Sequence, residues 1–192
     1  MSLVTSRISE CGGGHGLPMP LGDVTSLVLH KTGVSRADPP WLTDPVPDDR
    51  CTAVELAARF LRPQPYTGGR VPYHVLIRRD EAATAEQMLP LCVRGTHARG
   101  YNRRSIALAY VGEDPTPAQY RRLVQLCTLL VPLNGLRIVG HTQLPGASAD
   151  PEKICPGPGC STADITAAVR ASLGDGWRLL RRADVELAIE RA

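Results

Sequence analysis

Residues 105–111, Ser-Ile-Ala-Leu-Ala-Tyr-Val, form an almost uniformly apolar run closed by Gly112. A run of that length with no regular polar alternation reads as a strand covered on both faces, and such strands lie in the middle of a sheet. The remaining elements must supply the neighbours of this strand and the layers over it.

Four segments read as those neighbours. Residues 23–29 are dominated by β-branched and aliphatic side chains and deliver His30 at the strand end. Residues 71–78 read as a strand whose start is limited by Pro72, and residues 85–91 as a short return strand. Residues 136–139 form the last strand, with His141 at its exit. Between them lie helical patterns. Thr52 and Glu55 make a capping box for a helix over residues 53–61. Thr116, Pro117 and Gln119 open a second, along which Tyr120, Leu123, Val124, Cys127, Leu130 and Val131 recur at helical spacing. Ser161 starts a third that runs to about Leu173, where Gly174, Asp175 and Gly176 stop it, and residues 177–192 read as a further amphipathic helix. Strands alternating with helices predict an α/β fold, a single domain with a central mixed β-sheet flanked by helices. Its expected divisions are a Gly/Pro-rich arm (1–22), a catalytic domain (23–173) and a C-terminal helical tail (174–192).

At 192 residues and 43% hydrophobic composition the chain can bury a sizeable core, and with one Phe and two Trp that core must be aliphatic. A net charge of +3, with arginines scattered over several segments, argues against a nucleic-acid partner and is compatible with a polyanionic cell wall. Six cysteines are too sparse for a disulfide framework, so most are expected to be plain thiols. No 18-residue apolar run and no signal-peptide pattern occur, so the expectation is a soluble monomer without a membrane span. Synthesis in the cytoplasm is expected, with action on the cell wall after release or delivery.

The chemistry concentrates between Gly140 and Cys155. His141 leaves a short strand, and Cys155 ends an irregular loop able to return beside it. With His30 they make an N, N, S donor set of the kind zinc favours, leaving a fourth position for water. Taken singly, each histidine is equally a buried polar residue satisfied by backbone bonds, and Cys155 a buried thiol.

Five ordered segments go further: residues 27–32 (Leu-Val-Leu-His-Lys-Thr), 73–80 (Tyr-His-Val-Leu-Ile-Arg-Arg-Asp), 95–102 (Gly-Thr-His-Ala-Arg-Gly-Tyr-Asn) with Ser105 and Ile106, 139–141 (Val-Gly-His) and 153–157 (Lys-Ile-Cys-Pro-Gly). Together, over roughly residues 23–173, they resemble the zinc-dependent N-acetylmuramoyl-L-alanine amidases of type 2. The likeness is greatest to the phage endolysins called lysozymes, which share a fold with peptidoglycan recognition proteins. The resemblance implies one zinc ion held by His30, His141 and Cys155, and a peptidoglycan substrate. It also implies catalytic roles for Tyr73 and Lys153, and a substrate groove lined by His74, His97 and Asn102. Asp150 followed by Pro151 is the competing third ligand, since other branches use an Asp-Pro-Gly carboxylate. The family's lysine two residues before the ligand and Pro-Gly after it are matched around Cys155 and not around Asp150. The implied reaction is hydrolysis of the amide between N-acetylmuramic acid and L-alanine by zinc-activated water. A binding module that kept the groove without catalysis, and an interbacterial toxin with the same chemistry, are the rival readings.

Overall fold

The computed structural model describes residues 17–32, 72–133, 135–148 and 153–174. The helix expected over 53–61, the tail helix over 177–192, most of the arm, and Asp150 lie outside them.

Five strands form one mixed sheet among the described residues: β1 (Ser26–Lys31), β2 (Val75–Ile77), β3 (Ala85–Gln87), β4 (Ser105–Tyr110) and β5 (Arg137–Gly140), in the order β3-β2-β4-β1-β5. β4 is the middle strand, parallel to β1 and β2, and every one of its six residues is buried. β5 runs parallel to β1, and β3 pairs antiparallel with β2.

Side-chain size alternates along β4. Ile106, Leu108 and Tyr110 join the core cluster that contains Leu123 and Cys127 of α1 (Pro117–Leu130) and Ile165 and Val169 of α2 (Thr162–Leu173). Ser105, Ala107 and Ala109 therefore point to the opposite face. In β1, Leu27 and Leu29 join the helix-side core, whereas Val28 packs with Ala98, Leu144 and Ala147. His30 shares the side of Val28 and lies in register with Ala109. The two described helices thus pack on one face, and the small residues of β4 lie on the other, the side of His30.

Both described helices start as their sequences predict. The Thr116 hydroxyl accepts from the Gln119 amide at 3.2 Å, and the Gln119 side chain accepts from the Thr116 amide at 2.9 Å. The buried Gln119 amide group also donates to the carbonyls of Ile77 and Val111, tying α1 to the ends of two strands. Ser161 caps α2 by accepting from the Asp164 amide at 3.2 Å.

The strand bounds differ from expectation. β1 begins at Ser26 behind a 3-10 turn over Leu21–Asp23 and continues past His30, so that histidine sits within the strand. β2 is only three residues long; just ahead of it the His74 backbone N–H donates to the Ala107 carbonyl, but the Ala107 amide donates to the His74 ring and not to a strand carbonyl. β3 stops at Gln87, and Leu89 donates, like Met88, to the His74 carbonyl. Within the arm, Met19 is buried and bonds the Cys92 carbonyl, so this end of the arm packs on the domain. Cys92 is disulfide-bonded, while Cys127, Cys155 and Cys160 are free buried thiols. No helix among the described residues is long and apolar enough to cross a membrane.

Candidate metal centre

At the carboxyl ends of the parallel strands, His30, His141 and Cys155 converge, with one donor atom from each lying within 4.8 Å of the others. All three are buried. The Cys155 sulfur stands 3.8 Å from His30 Nδ1. Tetrahedral ligands ~2.0 and ~2.3 Å from a shared zinc lie about 3.5 Å apart, so this spacing needs little adjustment to hold an ion.

The hydrogen bonds around the cluster say which atoms face it. His141 Nε2 donates to the Ala147 carbonyl at 3.2 Å, and its Nδ1 is buried without a hydrogen-bond partner. A buried nitrogen lone pair with no donor is costly unless something electropositive meets it. Burial, with smaller contributions from His97, His141, Lys153 and His74, holds His30 well below its ordinary pKa. Burial also lowers His141, against its bond to the Ala147 carbonyl and with help from Lys153, so the neutral form with a lone pair to give is favoured in both rings. Burial raises the Cys155 thiol against the Lys31 backbone N–H and the Lys153 and Lys31 ammonium groups. Metal binding would displace that proton. Two neutral imidazoles and one thiol, one nitrogen orphaned, make a donor set that fits zinc.

Two further side chains border the cluster. The Tyr73 ring lies 5.1 Å from that of His30, and burial, then Cys155, pushes its phenol far above the ordinary value, so it keeps its proton at neutral pH. Lys153 is exposed, and its charge depresses His30, His141 and Cys155 alike.

The resemblance assigns His74, His97 and Asn102 to the groove, and in the structure both ring nitrogens of His74 and His97, and the Oδ1 of Asn102, meet protein groups. His74 is fully buried: its Nδ1 accepts from the Ala107 amide at 2.9 Å and its Nε2 donates to the Val93 carbonyl at 2.8 Å. Asn102 Oδ1 accepts from the amides of His97 and Ala98, at 2.9 and 2.8 Å, which closes the loop carrying His97. His97 Nδ1 stands 3.1 Å from His30 Nε2, and its Nε2 is 3.2 Å from the Ser105 hydroxyl.

A family model described as N-acetylmuramoyl-L-alanine amidase matches residues 20–158, a span that takes in all three converging donors. The chain belongs to the type 2 N-acetylmuramoyl-L-alanine amidase family. No curated protein matches it by sequence. Among solved structures, the fold is similar to the endolysin N-acetylmuramoyl-L-alanine amidase LysCS from Clostridium intestinale (20% identity, 83% of this chain and 93% of that one, TM-score 0.60). It is also similar to the Ph2119 endolysin from a Thermus scotoductus bacteriophage (17% identity, 87% and 93%, TM-score 0.56). Peptidoglycan recognition protein LE, solved with tracheal cytotoxin, a monomeric diaminopimelic acid-type peptidoglycan, matches at 18% identity over 80% of this chain and 85% of that one, TM-score 0.56.

In this family member, residues that sequence reasoning passed over hold the returning loop in place. The Thr142 amide and hydroxyl both donate to the Cys155 carbonyl, at 2.9 and 3.0 Å, and that hydroxyl accepts from the Cys155 amide at 3.4 Å. The Tyr110 hydroxyl accepts from the Gly157 amide at 2.9 Å and donates to the Glu113 carbonyl, while Lys31 ion-pairs with Glu113. Gly140 lets the loop approach, since a Cβ there would meet Pro156 Cδ at 2.6 Å. For Thr142 the available signal is its adjacency to His141; for Ser105, Ala107 and Ala109 it is the small-large alternation of β4.

Proposed function

We propose that this chain is a zinc-dependent peptidoglycan amidase that cleaves the bond between N-acetylmuramic acid and L-alanine, acting as an endolysin. The observation that carries the reading is the convergence of His30, His141 and Cys155, with His141 Nδ1 buried and unpartnered. The endolysins of similar fold, one of them an N-acetylmuramoyl-L-alanine amidase, support the cell-wall role.

His30 and His141 would hold zinc through Nδ1 and Cys155 through sulfur. A zinc ion bound there would supply Lewis acidity toward the amide carbonyl and toward water, whose pKa it would bring toward ~7. Cys155 would give up its proton to hold the metal, and the Lys31 backbone N–H favours its thiolate. Tyr73, held protonated by burial, donates a hydrogen bond or passes a proton to the departing amine. Lys153 brings an exposed ammonium to the rim of the cluster, where it stabilises the developing oxyanion.

The similar fold of a recognition protein solved with a peptidoglycan fragment favours a second reading, a binding module without catalysis. Purified protein incubated with sacculi separates the two. The amidase releases stem peptides with new L-alanine amino termini and carries one zinc per chain. Binding to sacculi with no new amino termini and no zinc would establish the module.

A further inference from the structure

His97 occupies the position of a groove residue in the family resemblance, yet it is buried and both its ring nitrogens are directed at protein groups. One contacts the outer nitrogen of His30, and the other contacts the first residue of the central strand.

The proton positions follow by accounting from the strand outward. The Ser105 hydroxyl has one proton and sits 2.8 Å from the Tyr101 carbonyl, nearer than its 3.2 Å to His97 Nε2. Donating to the carbonyl, that oxygen can only accept from His97, so His97 carries its proton on Nε2. A neutral His97 then has a bare Nδ1, which accepts from His30 Nε2 at 3.1 Å. His30, protonated on Nε2, must present an unprotonated Nδ1 to the Cys155 sulfur. Asn102 fixes the start of this path by bonding the His97 and Ala98 amides.

We infer that His97, oriented by Ser105 and Asn102, is a positioning residue that fixes the tautomer and ring orientation of His30 and so pre-forms one nitrogen of the metal centre. Histidines that bind metal ordinarily donate their second N–H to a carboxylate, a carbonyl or water. His141 does so, to Ala147, but His30 has no such partner on its Nε2, and a second imidazole takes that place. The arrangement ties the centre to β4, the middle and fully buried strand of the sheet. It also removes His97 from direct contact with substrate, and it rests on the metal-centre reading above.

The test uses the full chain with 15N-labelled histidine, first free of metal. A long-range 1H–15N spectrum is expected to show His30 and His97 each protonated on Nε2 with a bare Nδ1. His30 protonated on Nδ1, or mixed, overturns the inference without any variant. Zinc affinity is then measured by chelator competition on His97→Ala, His97→Asn and Ser105→Ala, with circular dichroism confirming the fold. His97→Ala is expected to weaken zinc binding about 10- to 100-fold, and Ser105→Ala less. His97→Asn is expected to recover most of the loss, because its Oδ1 lies where Nδ1 was and accepts the same bond. Equal affinity in wild type and His97→Ala, or no recovery in a folded His97→Asn, contradicts the positioning role. A wild-type chain that binds no zinc would refute the metal centre itself, and the metal-free spectrum would still decide the proton positions.

Discussion

At the scale of single residues, the proposed centre would separate side chains that hold a metal (His30, His141 and Cys155) from side chains that use it (Tyr73 and Lys153). Lys153 is exposed and its absence would leave no cavity, so Lys153→Ala is predicted to fold and bind zinc as wild type while losing about 100-fold or more in turnover. Amide release measured beside metal content checks this, and near-normal turnover would remove Lys153 from the mechanism. Cys155→Ser keeps the shape and replaces the soft donor. It is predicted to lose zinc at concentrations that saturate the wild type, as read by chelator competition. The donor set of His30, His141 and Cys155 was legible because the order of side chains carries the chemistry, and the fold brings those three together. Thr142 and Ser105 were not, since a hydroxyl in sequence does not say whether it faces a loop carbonyl or an imidazole. His74 and Asn102 illustrate the converse: polar residues at the right positions whose hydrogen bonds go to the backbone.

At the scale of elements, the apolar run of β4 identified the middle of the sheet because burial on both faces leaves an unmistakable composition. The lengths of β1 and β2 were less legible, since a turn over Leu21–Asp23 and a side chain that takes a backbone partner both override strand propensity. The loop after β5 is where an element-scale prediction is sharpest. Gly140→Ala would set a methyl group 2.6 Å from Pro156 Cδ, against the turn that returns Cys155. The fold should survive, because the clash lies at the rim of the sheet, while zinc affinity falls at least tenfold. An unchanged affinity would mean that the loop can give way without moving the sulfur. Thr116→Ala, by contrast, removes only a helix cap and is predicted to cost about 1 kcal/mol in denaturant unfolding, with zinc affinity intact.

At the scale of the whole molecule, four histidines buried as neutral rings couple stability to pH. His30, His74, His97 and His141 all have their pKa lowered, chiefly by burial, and that of His74 falls to about 4 from an ordinary 6.5. Below 6.5 the unfolded chain takes up protons that the folded one refuses, so stability is complete above that pH and is lost as pH falls toward 4. The limiting slope is about 1.4 kcal/mol per pH unit for each histidine. Denaturant midpoints of metal-free protein should drop steeply between pH 6.5 and 4, and a flat profile would show the rings to be solvated. Zinc, if it binds the folded form more tightly than the unfolded chain, should raise the midpoint at neutral pH. The central claim is that the cluster of His30, His141 and Cys155 makes a zinc amidase, and chelation followed by re-addition on purified sacculi addresses it most directly. New L-alanine amino termini are expected to appear with native protein, cease once zinc is stripped, and return when one equivalent of zinc is restored. Release that continues undiminished in the stripped protein, or none at all from the zinc-loaded chain, would contradict it.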